Sequence, residues 1–176
     1  MQTADHGEGL RHPTVKHLNS HGRTLYQSVI AVPHLWQHPA LPPGRVDGTT
    51  RNIDVLPSIL DVLGITPPAP LDGESYAAAL DGAPLAPRLA ISETHYLRYH
   101  RRALLNGQWH YIEDVREGTA ELYRQDDPDA RRDLVDDEPS IAWRMQKRLD
   151  AWEADHPLAA PAEAAPICLL YTSPSP

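Results

Sequence analysis

Apolar residues recur along this chain at helical spacing in its first half and at alternating or short-run spacing after residue 88. Leu56, Ile59, Leu60 and Leu63 share one face of a helix predicted over Val55 to Leu63, which should pack against a sheet. Asp54 stands at its N-cap, Pro57 falls in its first turn and Gly64 supplies a left-handed stop. A second short helix is predicted around Tyr76 to Leu80. Between Leu25 and Trp36 the β-branched run through Val29, Ile30 and Val32 predicts a buried strand, ended by Pro39 and Pro42-Pro43. From Leu89 onward the pattern becomes strands: Leu89 to Ser92, Arg102 to Leu105, Trp109 to Ile112 and Glu121 to Tyr123. Asn106-Gly107 marks a hairpin between two of them. Ile141, Met145, Leu149 and Trp152 line one face of a closing helix from about Pro139 to Trp152. An antiparallel sheet covered by a helix is the expected result, with Trp109, Trp143 and Trp152 packed into it.

Composition narrows what such a chain can do. Its 176 residues suit one domain with a real core. A net charge of −8, with no basic stripe, argues against a nucleic-acid partner. No run reaches the roughly 18 to 20 apolar residues of a membrane span. A single cysteine, Cys168, excludes an internal disulfide and a cysteine-based zinc cluster. An Ala- and Pro-rich run over Leu158 to Pro166 predicts a disordered tail over 157–176, and Cys168 to Pro176 resembles translated sequencing adaptor, so 168–176 is expected to be non-native.

The chemistry concentrates near the N-terminus. In Thr3-Ala-Asp-His-Gly-Glu8 an adjacent carboxylate and imidazole sit at a glycine-rich bend, where both can turn toward one divalent cation. Alone, the pair favours an ordinary solvated turn. His12, His17 and His21 are spaced by five and four residues on a proline-containing loop, which matches no compact zinc template and predicts polar loop histidines. His34, His38, His100 and His110 carry no assignment, while His95 and Tyr96 follow a predicted strand within reach of a pocket rim. Asp126, Asp127 and Asp129 are expected to form a turn, because the spacing of an EF-hand is absent.

Taken in order, Thr3 to Glu8, His21-Gly-Arg-Thr-Leu-Tyr26, Val32-Pro33, Asn52 to Pro57 and Leu60 to Gly64 resemble the C-terminal part of sulfatases of the alkaline-phosphatase superfamily. Ala103 to Ile112, Glu121 to Tyr123, Asp127-Pro128 and Asp133-Leu134 are similar to the small C-terminal sheet of that family, so the resemblance covers about residues 2 to 156. It implies an α/β fold. Residues 1–88 would be the C-terminal part of the catalytic α/β domain, and 89–156 an antiparallel subdomain with its closing helix.

The resemblance also implies site residues. Asp5 and His6 would be metal ligands, for Ca2+ first and Mn2+ or Mg2+ as alternatives, completing a set whose other acidic members lie upstream in the family. His21 stands where the family places a Lys or His on the substrate's sulfate, a contact that imidazole makes pH-sensitive. Arg23 beside it reads as a solvated arginine. The family's nucleophile motif, Cys/Ser-x-Pro/Ala-x-Arg, is absent, and Cys168 lacks the Pro and Arg of that context. The implied function is hydrolysis of a small-molecule or saccharide sulfate ester by a longer parent protein. Phosphodiesterases and phosphonate monoester hydrolases share the Asp-His pair and form the first alternative. The second is a non-catalytic fragment with an exposed sheet edge. Substrate identity and localisation stay open.

Overall fold

The strand-forming half folds as one antiparallel meander, β1 (Leu89–Thr94), β2 (Arg101–Asn106), β3 (Trp109–Asp114) and β4 (Thr119–Arg124), hydrogen-bonded in chain order. The computed structural model describes residues 1–9, 21–95 and 99–156, so Tyr96, His12, His17, Cys168 and the tail from 157 lie outside the described residues. Each strand runs past the apolar segment that predicts it, because the ladder pairs continue to Thr94↔Arg101 and Arg101↔Asp114. At the β2–β3 hairpin Asn106 pairs with Trp109, which makes Gly107-Gln108 the two-residue loop. Gly107 sits at φ +60°, and Gln108 is not among the positive-φ residues, the sign pattern of a type II′ turn. The Asn-Gly signal therefore locates the hairpin but is one residue early.

Alternation gives the sheet two apolar faces. Leu104, Tyr111 and Leu122 meet Ala142, Met145 and Leu149 of α4 (Pro139–Asp155) on one side. Ala103, Ile112 and Tyr123 meet Leu25, Tyr26 and Ala130 on the other. Tyr26 Oη donates to Glu121 Oε2 at 2.9 Å and Gln27 Nε2 to the Gln125 carbonyl at 3.0 Å, fastening the N-terminal segment to β4 and its end. Arg102 of β2 is buried between Glu113 on β3 and Asp150 and Glu153 on α4, with Nε at 2.6 Å from Glu113 Oε1. Trp143 departs from expectation and is 60% exposed. It lies about 100° around the helix from Ala142 and about 160° from Met145, off the buried stripe.

Three other expectations, all in the first half of the chain, are corrected. Leu25 to Trp36 is not a strand: Gln27–Ile30 forms one helical turn (α1), and the chain beyond it is extended with a single antiparallel bridge, Gln2↔Leu35. β-branched residues favour strands only where a partner ladder exists, and here Gln2 alone supplies it among the described residues. The helix α2 (Val55–Val62), preceded by a 3₁₀ turn over Asn52–Asp54, packs mainly on that turn and on α3 (Ala77–Leu80), and among the described residues it makes no comparably extensive contact with the meander. Its apolar stripe is partly open to solvent: Ile59 and Leu60 are half-buried, while Leu56 and Leu63 are 52% and 55% exposed. Asp54 does not cap α2 through its side chain. Fully buried, it accepts hydrogen bonds from Arg51 (Nη2 at 2.7 Å), Arg88 (Nη1 at 2.9 Å) and the Glu74 amide (2.9 Å). Burial alone would raise its pKa, but the hydrogen bonds from Arg51, Glu74 and Arg88 outweigh that cost and hold the carboxyl below the ordinary range. Among the described residues no helix is long and apolar enough to cross a membrane.

Candidate functional site

The bend carrying Asp5 and His6 is fixed by backbone contacts on both sides. Gln2 and Leu35 exchange amide–carbonyl bonds of 2.8 and 2.9 Å, and the Gly7 amide donates to the Val29 carbonyl at 2.7 Å. That last contact requires glycine, because a Cβ on residue 7 would stand 2.2 Å from the Ser28 carbonyl oxygen. Asn52 adds a side-chain tie, its Nδ2 donating to the carbonyls of Ala4 (3.2 Å) and Asp5 (3.3 Å). Its Oδ1 is held by His34 Nε2 at 3.0 Å, while His34 Nδ1 lies 2.9 Å from Tyr76 Oη, which accepts from Trp36 Nε1 at 3.1 Å. A chain of polar contacts thus runs from Trp36 to the main chain of Asp5.

Within the bend, Asp5 Oδ1 accepts from the His6 amide at 3.0 Å. His6 Nδ1 is 2.8 Å from the Gly7 carbonyl, which can only accept, so Nδ1 carries a proton. In the neutral ring this leaves the Nε2 lone pair free, 3.8 Å from Asp5 Oδ2. Both side chains reach solvent, Asp5 most of all. A carboxylate oxygen and an imidazole nitrogen at this separation fit one divalent cation, since two ligands each about 2.0 to 2.5 Å from an ion lie about 3 to 4 Å apart. The orienting bond to Gly7 is the kind of support that metal-ligating imidazoles commonly have.

His21 lies on this pair. Its ring stacks on that of His6 with centroids 3.9 Å apart, and its Nδ1 donates to Glu8 Oε2 at 3.1 Å. His6, Glu8 and His21 together bring three metal-ligating atoms within 4.8 Å of one another. The Gly22 carbonyl accepts from Thr94 Oγ1 at 2.6 Å, which joins the His21 segment to the end of β1. Asp5, His6, His21, Arg51, Asn52 and Glu93 all line one broad cleft of about 1250 Å³. Arg23, read as solvated, is instead half-buried with its Nε out of contact with water.

The three residues singled out from sequence are therefore neighbours in space. Two members of the site were not legible: Glu8, whose partner is thirteen residues away, and Asn52, which reaches across forty-seven. Glu8 closes the Thr3 to Glu8 segment and Asn52 opens the Asn52 to Pro57 block, so both carried a signal without a role. Asp127 behaves as a turn former, its Oδ2 accepting from the amides of Arg131 and Arg132 at 2.8 and 3.0 Å.

No family model matches the sequence. Over 163 residues the chain is 26% identical to arylsulfatase K of Mus musculus, covering 85% of this chain and 29% of that protein. Among solved structures, a 2-O GAG sulfatase, BT1596, superposes with a TM-score of 0.71 at 22% identity, over 87% of this chain and 35% of that one. A phosphonate monoester hydrolase from Silicibacter pomeroyi superposes with a TM-score of 0.69 at 22% identity, over 87% and 34%. The chain thus spans about a third of the length of the proteins it matches. The mixed α/β architecture, with its four-stranded sheet and closing helix, is that of sulfatase C-terminal regions. The chain is thus similar in sequence to an arylsulfatase and shares its fold with parts of a sulfatase and a phosphonate monoester hydrolase.

Proposed function

We propose that this chain is part of a metal-dependent hydrolase of sulfate esters, to which it contributes two metal ligands and one contact to the sulfuryl group. The observation that carries this reading is the convergence of Asp5 Oδ2 and His6 Nε2, 3.8 Å apart with the His6 tautomer set by Gly7, beside a stacked His21 on the wall of an open cleft. Asp5 and His6 would hold the divalent ion, with Ca2+ the first candidate. The ion would supply Lewis-acid polarisation of an ester oxygen and positive charge for the group attacking sulfur. The nucleophile and the remaining ligands would come from a region outside this sequence. Residues 1–88 would then be part of the catalytic domain and 89–156 its subdomain.

The protein's own groups divide the remaining work. Glu8 accepts a hydrogen bond from His21 Nδ1–H and fixes the ring, so Nε2 is the atom left to face substrate. In its cationic form His21 would hold a proton at Nε2 for a sulfuryl or leaving oxygen as charge builds there. Asn52 holds the Asp5 main chain in place, which keeps the carboxylate near His6 without occupying either of its oxygens.

A second reading, hydrolysis of a phosphodiester or phosphonate monoester, is favoured by the superposition on a phosphonate monoester hydrolase. The two reactions would use the same Asp5, His6 and His21 and differ in the nucleophile and pocket walls. The test is turnover of an aryl sulfate, an aryl phosphodiester and an aryl phosphonate monoester by this chain joined to its upstream region. Sulfate-ester preference supports the first reading, and phosphonate preference replaces it with the second. Metal-dependent turnover by the 176-residue chain alone would refute the claim that the chemistry is shared with a region outside it.

A further inference from the structure

A second group of ligating atoms stands at the open end of the β1–β2 pair, separate from Asp5 and His6. Glu93 Oε1 lies 3.1 Å from His95 Nε2 and 3.2 Å from His100 Nε2, and the two imidazoles face each other with centroids 3.9 Å apart. All three ligating atoms fall within 4.8 Å of one another. The sequence suggests no such grouping, because His100 is five residues from His95 and neither matches a zinc template with a neighbour.

We propose that Glu93, His95 and His100 form a binding site for a first-row transition-metal ion of the zinc class. Geometry is the first reason. Four-coordinate zinc holds nitrogen and oxygen ligands at about 2.0 to 2.2 Å, which sets the ligand–ligand edge of the tetrahedron at about 3.3 to 3.6 Å. The two edges observed here differ from that by only a few tenths of an ångström. Support from the scaffold is the second. Glu93 belongs to β1 and His100 directly precedes β2, and the last ladder pair, Thr94↔Arg101, lies between them. The His100 carbonyl also accepts from the Val115 amide at 2.9 Å, so its main chain is held from the β3–β4 side as well. Two of the three ligands are therefore fixed by a sheet rather than by a loop.

Donor chemistry is the third reason. Two imidazoles and one carboxylate suit zinc and its first-row neighbours, whereas calcium takes six to eight oxygens. Three protein ligands leave a fourth position for water. The Glu93 carboxylate is only 16% exposed, so an ion there would replace the two imidazoles' hold on a charge that is largely withdrawn from solvent. Glu93 also lines the cleft that holds Asp5, His6 and His21. An ion bound to it would add positive charge to that wall, where an anionic group would enter.

The experiment is Zn2+ titration of the untagged chain carrying His6→Gln and His21→Gln, which removes the other imidazole pair. One ion per chain is expected. Adding His95→Gln and His100→Gln should weaken binding by more than the roughly 10- to 100-fold that loss of a mere supporting group costs. Glu93→Gln in the same background keeps the side chain's shape and should lose Zn2+ affinity while the metal-free protein still unfolds cooperatively. Co2+ in place of Zn2+ should give the intense visible absorption of four coordination. Equal Zn2+ affinity with and without His95 and His100, no Zn2+ binding in the His6→Gln, His21→Gln background, or a weak six-coordinate Co2+ spectrum would each overturn the proposal.

Discussion

Replacing His110 by leucine should flatten the acid limb of the protein's stability curve. His110 stands in the middle of β3, paired with Leu105 and Tyr123, and is 1% exposed. Its Nε2 is buried without a partner among the described residues. Burial pushes its pKa from 6.5 down to about 4, against a smaller opposing effect of a hydrogen bond with the Leu25 backbone. The folded state thus binds fewer protons than the unfolded state between these values. This contribution is complete above pH 6.5 and is lost as pH falls toward 4, at up to about 1.4 kcal/mol per pH unit. The full span is on the order of 3 kcal/mol, of which roughly 2.4 kcal/mol falls between about pH 7 and 4.5. His110→Leu removes the titration and also the Leu25 bond, a loss of about 1 kcal/mol that does not vary with pH. Urea unfolding of both proteins at intervals from about pH 7 to 4.5 gives the test. The stability difference between them should move by roughly 2 kcal/mol in favour of the variant as pH falls, a relative midpoint shift of about 1 M for an m-value near 2 kcal/mol/M. Parallel curves, within about 0.5 kcal/mol, would refute the reasoning and mean that water or a proton reaches the ring in the folded protein.

Gly7→Ala should push the Asp5–His6 bend away from α1, because the new Cβ would meet the Ser28 carbonyl. A cost of about 1 to 3 kcal/mol in denaturant unfolding is expected, together with faster hydrogen exchange at the Gly7 amide, and unchanged exchange there would contradict the packing described. Arg102→Met leaves Glu113 buried with Tyr111 Oη at 3.1 Å as its remaining partner and should cost on the order of 3 kcal/mol. Adding Glu113→Gln should recover a measurable part of that loss, and a double variant no more stable than the single one would show that packing, rather than stranded charge, sets the cost.

How much of the molecule is legible in the sequence depends on the range of the interactions involved. The β1–β4 segments, α2 and α4 follow from periodicities that need only neighbours within a few residues, and they fall where Leu104, Tyr111, Leu122 and the Met145–Leu149 stripe predict. The run Val29 to Val32 misleads because strand formation needs a partner, which local pattern does not contain. Asp54 misleads in the same way: it has the residue type of an N-cap, but its partners Glu74 and Arg88 lie twenty and thirty-four residues away and draw it into the interior. For α2, the pattern correctly gives an apolar face and cannot say what covers it. Leu56 and Leu63 are exposed in this chain, which spans about a third of its relatives. At the candidate site, residue type and order pick out Asp5, His6 and His21. The carboxylate on His21, the amide behind Asp5 and the Glu93–His95–His100 group depend on contacts that only the fold creates.

The central claim is that Asp5 and His6 are ligands of a catalytic divalent ion in a sulfate-ester hydrolase. Metal content and aryl sulfate turnover should be measured together for Asp5→Ala and His6→Ala in a protein that joins this chain to its upstream region. A fall in bound metal at equal protein, with a loss of turnover of at least about three orders of magnitude, on the order of 4 kcal/mol of transition-state stabilisation, is the predicted result. Full metal occupancy and unchanged turnover in both variants would contradict it.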